Sequence, residues 1–148
     1  MIRRATIDDV PIMAVYGEQF FDEAGWGDVA SYDLGDCAAS LAQMVESDDA
    51  IMLVADEGEI VGMVAGVIFP LYFNRAHRTG QELFYWVRPG DRNGIGRALL
   101  RALADEAKAR GCKSWSMIAL DKVRPEATGM MYRREGYRPS EHSYIKVL

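Results

Sequence analysis

The sequence is poor in the side chains that hold most structural metals and disulfides: it has only two cysteines and two histidines. Cys37 and Cys112 lie far apart, and neither has the close Cys or His spacing of a zinc site. We therefore expect no metal cofactor. We interpret the cysteines as two reduced, buried thiols, which is typical of a cytoplasmic protein.

Long hydrophobic runs and an excess of positive charge are also missing. The longest apolar run, IVGMVAGVIF, is shorter than the roughly 18 residues of a membrane span and predicts a buried strand. The opening MIRRATIDD lacks the apolar stretch of a signal peptide. The net charge is -5, which argues against a protein that coats nucleic-acid phosphates. We expect a cytoplasmic protein with no membrane or nucleic-acid partner.

The 148 residues, 49% of them hydrophobic, suffice for one core, so residues 1–148 are predicted to form a single domain. Apolar periodicity and turn residues predict the order β-α-α-β-β-β-α-β-α-β. A hairpin joins AIMLVAD to IVGMVAGVIF, PLYFNRAHRTG is a connector, and YRPSEHSYIKVL supplies the last strand or two. This order indicates an α/β fold with a mixed, mostly antiparallel sheet flanked by helices.

The most informative stretch is VRPGDRNGIGRALL, residues 87–100, which follows the strand QELFYWV and opens a long helix. It places Gly90, Gly94 and Gly96 in the turn, with arginines around them. Backbone N–H groups at a helix start bind anions well, and glycines allow a phosphate to approach. The arginines of this local cationic cluster are Arg88, Arg92, Arg97 and Arg101.

Four interpretations of this turn compete. A P-loop requires a Gly-Lys-Ser/Thr ending that is missing here. A dinucleotide fingerprint requires a third glycine where the chain has Leu99. An acyl-CoA pyrophosphate site needs only the bare N–H groups and nearby arginines. An ordinary strand–helix turn, with glycines for geometry alone, is the fourth.

Two separated motifs decide among these interpretations because they resemble the GNAT superfamily of acyl-CoA-dependent N-acyltransferases. WVRPGDRNGIGRALL is similar to its central Val-x-Pro and Gly-x-Gly motif. MMYRREGYRP is similar to its C-terminal Tyr-x-x-x-Gly-Phe/Tyr motif. The resemblance covers nearly the whole chain and is closest to small phage and bacterial members. The matching residues are Val87, Pro89, Gly94, Gly96, Tyr132, Gly136 and Tyr137.

The chain departs from the family pattern at two places. Arg92 lies two residues before Gly94, whereas the family's arginine or glutamine lies three before, where this chain has Asp91. We expect Arg92 to serve through a tighter loop. The family's frequent asparagine on the following short helix is replaced by Pro125. Contacts to the pantetheine arm in this helix should therefore be made differently.

The resemblance implies transfer of an acetyl group from acetyl-CoA to a primary amine, by direct attack on the thioester in a ternary complex. The acceptor is expected to be a small molecule or an N-terminal amine. The implied donor site comprises the strand end and the turn. Its residues are Trp86, Val87, Arg92, Asn93, Gly94, Ile95, Gly96 and Arg97.

The resemblance also implies catalytic and acceptor-binding residues. Tyr132 is the expected general acid, and Glu82, on the strand that presents the thioester, is the expected base. His77 is an alternative base, and no base is needed if the amine arrives neutral. Trp26, Tyr72 and Phe73 are expected around the acceptor or, alternatively, packed in the core. By analogy with the family, a homodimer is expected.

Two other function classes remain open from the sequence. One is a catalytically silent acyl-CoA-binding or regulatory domain. The other is a nucleotide-binding module that does not use CoA. Binding of CoA without acetylation of any amine would favour the first, and stabilisation by ATP or NAD alone would favour the second.

Overall fold

The computed structural model describes all residues from 1 to 148. It contains five strands and four longer helices, and no helix has the length and apolar character that crossing a membrane requires. In chain order the elements are β1 (Ile2–Arg4), α1 (Val10–Ala24), α2 (Leu34–Glu46), β2 (Ala50–Asp56), β3 (Ile60–Leu71), β4 (Asn74–Val87), α3 (Ile95–Ala109), β5 (Ser114–Ser116) and α4 (Pro125–Arg134).

The strands form one sheet in the spatial order β1-β2-β3-β4-β5. The first four strands are antiparallel to their neighbours, and β5 runs parallel to β4. A parallel neighbour needs a crossover, which α3 supplies. The predicted α/β class with a mixed, mostly antiparallel sheet is therefore confirmed.

Helices cover both faces of the sheet, which explains why β2 and β3 are almost continuously apolar. Alternate side chains of a strand point to opposite faces. Met52 and Val54 accordingly join the cluster built with α1 and α2, whereas Ile51 and Leu53 join the cluster that contains Leu99 of α3. The sheet thus becomes a rigid central layer, from whose β4–β5 side the candidate site is built.

The predicted connector PLYFNRAHRTG is instead the end of a long β3–β4 hairpin. Pro70 pairs with Arg78 and Leu71 with Asn74, so only Tyr72 and Phe73 lie outside the two strands. Most of these residues are exposed because the hairpin extends beyond the helices. With neither face buried, the sequence lacks the apolar alternation that identifies a half-buried strand.

The predicted last strand does not form. Residues 137–148 contain no helix or strand, and Tyr144 is fully exposed. The segment has the aromatic and β-branched residues typical of strands, but a strand exists only with a partner. The neighbouring edge strand, β5, is three residues long and offers little edge to pair with.

Candidate active site

Strands β4 and β5 separate shortly after they meet. They pair over three residue pairs, the last being Gln81 with Ser116. The paired end is wedged by Trp115, because a Cβ atom at Gly66 or Gly80 would overlap its ring. Two glycines thus make a flat slot for the indole. Beyond this slot the strands diverge, and the side chain of Glu82 lies in the gap.

A cavity of about 310 Å³ opens along this gap. Its walls come from five parts of the chain: the end of α1, the second half of β4, the glycine turn with the start of α3, the segment after β5, and α4. The wall residues that matter for the chemistry are Glu23, Glu82, Tyr85, Trp86, Val87, Arg92, Gly94, Gly96, Arg97, Arg124, Tyr132 and Arg134.

Glu82 is the most deeply buried ionisable group of the cavity, with 4% of its surface exposed. The Ile118 N–H donates a hydrogen bond of 2.9 Å to its Oε2 atom. Burial raises the pKa of Glu82 from 4.5 to about 7, and the Ile118 hydrogen bond opposes that rise. The carboxyl group therefore changes its charge near neutral pH.

Tyr132, on α4, reaches the same peptide from the other side. Its hydroxyl donates a hydrogen bond of 2.9 Å to the Ile118 carbonyl, and the residue is 7% exposed. Burial raises the pKa of Tyr132, and the charge of Glu82 adds to this. The phenol therefore keeps its proton at neutral pH. Glu82 and Tyr132 meet at Ile118 in the gap between β4 and β5.

Glu82→Gln is expected to stabilise the protein at pH 8. The unfolded carboxyl group ionises near its ordinary pKa of 4.5, and the folded one near 7. The stabilising contribution of Glu82 is thus complete below pH 4.5 and is lost as the pH rises through 7. A neutral glutamine, which can still accept from Ile118, should add up to about 3 kcal/mol to the free energy of unfolding at pH 8.

Urea denaturation of both proteins at pH 5 and pH 8 measures this effect. The gain should be large at pH 8 and small at pH 5. Glu126→Gln, at the exposed first turn of α4, is the control and should show no such pH dependence. An equal change at both pH values would contradict the raised pKa.

Glycine is required at two positions of the turn for different structural reasons. Gly94, the N-cap of α3, has a φ of 84°, in the left-handed region, and open space where a Cβ would lie. At Gly96 a Cβ would overlap the Tyr85 hydroxyl, so this glycine accommodates a cavity-wall tyrosine. The first helical bond of α3 runs from Ala98 to Gly94. The N–H groups of residues 95–97 precede it and are free for an anion.

The side chains of Asp91 and Arg92, in the loop before α3, lie in different places. Asp91 accepts a hydrogen bond of 2.6 Å from Arg88, which also pairs with Glu59. Arg92 lines the cavity, where its Nε lies 3.3 Å from the Val87 carbonyl and its Nη2 lies 3.4 Å from Glu23. The cavity therefore receives the arginine, and the aspartate remains outside it.

Several cavity residues were not identified from the sequence. Glu23 accepts a hydrogen bond of 3.2 Å from the Trp86 indole and pairs with Arg92, which links α1 to the end of β4. Arg124 has a φ of 43°, the sole non-glycine residue in the left-handed region. Local patterns do not show which helix end will face a distant strand end, so sequence reasoning had no signal for Glu23.

The structure leaves other predicted site residues outside the cavity wall. Asn93 and Ile95 belong to the turn but do not line the cavity. Tyr72 and Phe73 form an exposed edge-to-face pair at the hairpin tip, 92% and 71% exposed. Trp26 is also partly exposed and away from the wall. The reason is the hairpin, which carries Tyr72 and Phe73 beyond the core instead of over the gap.

Both histidines and both cysteines also lie away from the cavity. His77 Nε2 lies 3.0 Å from Ser114 Oγ at the paired end of β4, opposite the gap. No three His, Cys, Asp or Glu side chains gather into a group that could hold a metal ion. The chemistry available at the cavity is that of a carboxyl group, a phenol, arginines and free N–H groups.

The family model for the GNAT acetyltransferases matches residues 12–137. This range includes the central motif, the C-terminal motif as far as Tyr137, and all of the cavity residues. No curated protein sequence matches the chain at a significant level.

Solved structures with the same fold cover the whole chain. A ribosomal-protein-alanine N-acetyltransferase from Brucella melitensis biovar Abortus 2308 is 21% identical, with a TM-score of 0.73 and 99% of that chain covered. A transcriptional regulator from Bacillus halodurans C-125 is 22% identical, with a TM-score of 0.79 and 99% covered. A predicted acetyltransferase with acetyl-CoA from Clostridium acetobutylicum is 18% identical, with a TM-score of 0.74 and 95% covered. At these identities the likeness establishes the fold.

Proposed function

Because this chain belongs to the GNAT family of acetyltransferases, we propose that it transfers the acetyl group of acetyl-CoA to a primary amine in a ternary complex. The observation that carries the proposal is the convergence of Glu82 and Tyr132 on Ile118, in a cavity that also contains the anion-binding turn. Residues 1–148 act as one N-acetyltransferase domain in this proposal.

The donor binds through the turn and the end of β4. The free N–H groups of residues 95–97 hold the pyrophosphate, and Arg92 and Arg97 add positive charge. The thioester lies along Trp86 and Val87, and a main-chain N–H near Val87 polarises its carbonyl. This places the thioester beside the gap that contains Glu82 and Tyr132.

The reaction is an acyl transfer with three proton movements. Glu82, directly or through water, takes the proton of the ammonium, and the neutral nitrogen attacks the thioester carbonyl. When the tetrahedral intermediate collapses, the carbon–sulfur bond breaks, Tyr132 gives its proton to the departing thiolate, and the second proton of the nitrogen passes, directly or through water, to the Tyr132 phenolate. The product amide forms and free CoA leaves.

The acceptor is a small molecule or an N-terminal amine. Glu23 and Glu82 both line the cavity, but Glu23 pairs with Arg92, so Glu82 is the carboxyl group left for an incoming ammonium. The donor fills part of the cavity of about 310 Å³, and the space that remains suits a compact acceptor rather than a folded surface. A homodimer stays a prediction.

The test is a screen of primary amines, amino acids, polyamines, aminoglycosides and peptide N-termini, with release of free CoA as the readout and mass spectrometry of the product. At least one amine should gain an acetyl group in a protein-dependent reaction. Binding of acetyl-CoA without acetylation of any amine would favour the silent acyl-CoA-binding domain instead. Stabilisation by ATP or NAD but not by acetyl-CoA would exclude both the acetyltransferase and the silent acyl-CoA-binding domain.

Arg92→Ala is expected to weaken acetyl-CoA binding by about three- to tenfold at low salt, because a partly exposed charge on the cavity wall is lost. The loss should shrink as salt rises. Calorimetry at two salt concentrations measures it. Asp91→Ala is the matched control in the same loop and should change affinity little. If Asp91→Ala weakened binding and Arg92→Ala did not, the assignment across this loop would be wrong.

A further inference from the structure

A network of three charged residues joins α3 to the residue after α4. Glu135 Oε2 accepts a hydrogen bond of 2.8 Å from Arg101 Nε, and its Oε1 accepts one of 3.2 Å from Arg101 Nη2. The same Oε1 also accepts from Arg97 Nε. Arg97 lines the cavity beside the glycine turn, and Arg101 follows it one helical turn later.

The carboxylate lies beneath the two arginines. Its side chain is 10% exposed, whereas those of Arg97 and Arg101 are 50% and 59% exposed. Arg97 uses only Nε, so both of its Nη atoms stay free, and Arg101 uses Nε and one Nη. Most of their N–H donors therefore have no partner within the protein and are free for a ligand. One buried negative charge against two positive ones leaves a net positive surface.

Without Glu135 the two arginines would not form a defined site. Like charges at i and i+4 on a helix repel each other, and each side chain has many rotamers. A shared carboxylate offsets the repulsion and fixes both guanidinium planes. Hydrogen bonds from Arg101, and then from Arg97, lower the pKa of Glu135 to about 2, so it stays charged at any working pH.

We propose that Glu135 is a positioning residue that holds Arg97 and Arg101 as a binding site for the 3′-phosphate of CoA. This inference rests on the proposed function, which makes CoA the donor. The N–H groups of residues 95–97 supply one anion site, Arg97 stands at its edge, and Arg101 lies about 6 Å further along α3. CoA carries two separate phosphate groups, a pyrophosphate and a 3′-phosphate, and the two sites match them.

Calorimetry with CoA and with dephospho-CoA, which lacks only the 3′-phosphate, tests the arginine pair. The wild-type protein should bind CoA on the order of tenfold more tightly, as expected for charge-assisted hydrogen bonds at a partly exposed site. In Glu135→Gln the ratio of the two affinities should fall towards one. Simple charge counting predicts the opposite sign, since a negative charge is removed near a phosphate.

Two further variants separate positioning from general charge or stability effects. Glu126→Gln removes the same charge from the other end of α4 and should leave the ratio unchanged. Arg101→Ala should lower the ratio in the wild-type background and add little in the Glu135→Gln background, because the residues act as a unit. A merely structural role of Glu135 would lower the melting temperature and leave the ratio unchanged.

The results that would overturn the 3′-phosphate site differ from those that would overturn the proposed acetyl transfer. An unchanged or increased ratio in Glu135→Gln, or a wild-type ratio near one, overturns the 3′-phosphate site even if amines are acetylated. Adenosine 3′,5′-bisphosphate serves as a probe that carries no acyl group. If it binds in a Glu135-dependent manner and no amine is acetylated, the site stands and the proposed function fails. If neither CoA nor adenosine 3′,5′-bisphosphate binds, the 3′-phosphate site and the proposed function are both overturned.

Discussion

Tyr132→Phe is expected to lower turnover by about 10²–10⁴-fold, the range for loss of a general acid, and by less if water substitutes. The variant removes one oxygen atom from a buried ring on the wall of the cavity. Burial keeps this phenol protonated until the thiolate departs, and a thiolate formed in the same buried site binds a proton more tightly than the ordinary thiol pKa of about 8.5 implies. Affinity for acetyl-CoA should remain close to that of the wild-type protein.

The measurement is turnover at saturating acetyl-CoA with an established acceptor, together with the melting temperature. Loss of the hydrogen bond to Ile118 should cost about 1 kcal/mol of stability, too little to unfold the protein. Tyr137→Phe is the matched control, because its ring packs 5.8 Å from that of Tyr132 but does not line the cavity. Wild-type turnover in Tyr132→Phe would remove this residue from the mechanism.

Glu82→Gln is expected to lower kcat/KM by roughly 10²-fold or more at neutral pH, because the variant cannot accept the proton of the amine. The wild-type value should rise with pH around a midpoint near 7, since a base is active only when ionised and the pKa of Glu82 is about 7. In the glutamine variant that part of the pH profile should be absent. The variant should nevertheless be more stable than the wild-type protein at pH 8.

Profiles of kcat/KM between pH 5.5 and 9, measured with one acceptor, decide this prediction. Glu23→Gln removes another carboxyl group from the same cavity and should keep the midpoint near 7. A midpoint near 7 that persists in Glu82→Gln would assign the base to another group. An unaltered rate would show that the amine reaches the thioester without protein assistance.

The sequence alone determined the elements whose neighbours are close along the chain. Continuous apolar runs identified β2 and β3, because both faces of these strands are buried. Glycines after α3 and α4 predicted the helix ends, and Gly111 and Gly136 do adopt left-handed backbone there. The two motifs pointed to Tyr132 and to the glycine turn, both of which line the cavity, since motif spacing is itself a local property.

Only the tertiary structure decided which distant groups meet. The pKa of Glu82 depends on burial by elements far from it in the sequence, and the partner peptide at Ile118 lies 36 positions away. Glu135 is recognisable as a partner of Arg97 and Arg101 only once the fold brings the residue after α4 next to the first turns of α3. Periodicity reports that a residue is buried but not against what, and both the charge of Glu82 and the orientation of the arginines depend on that neighbour.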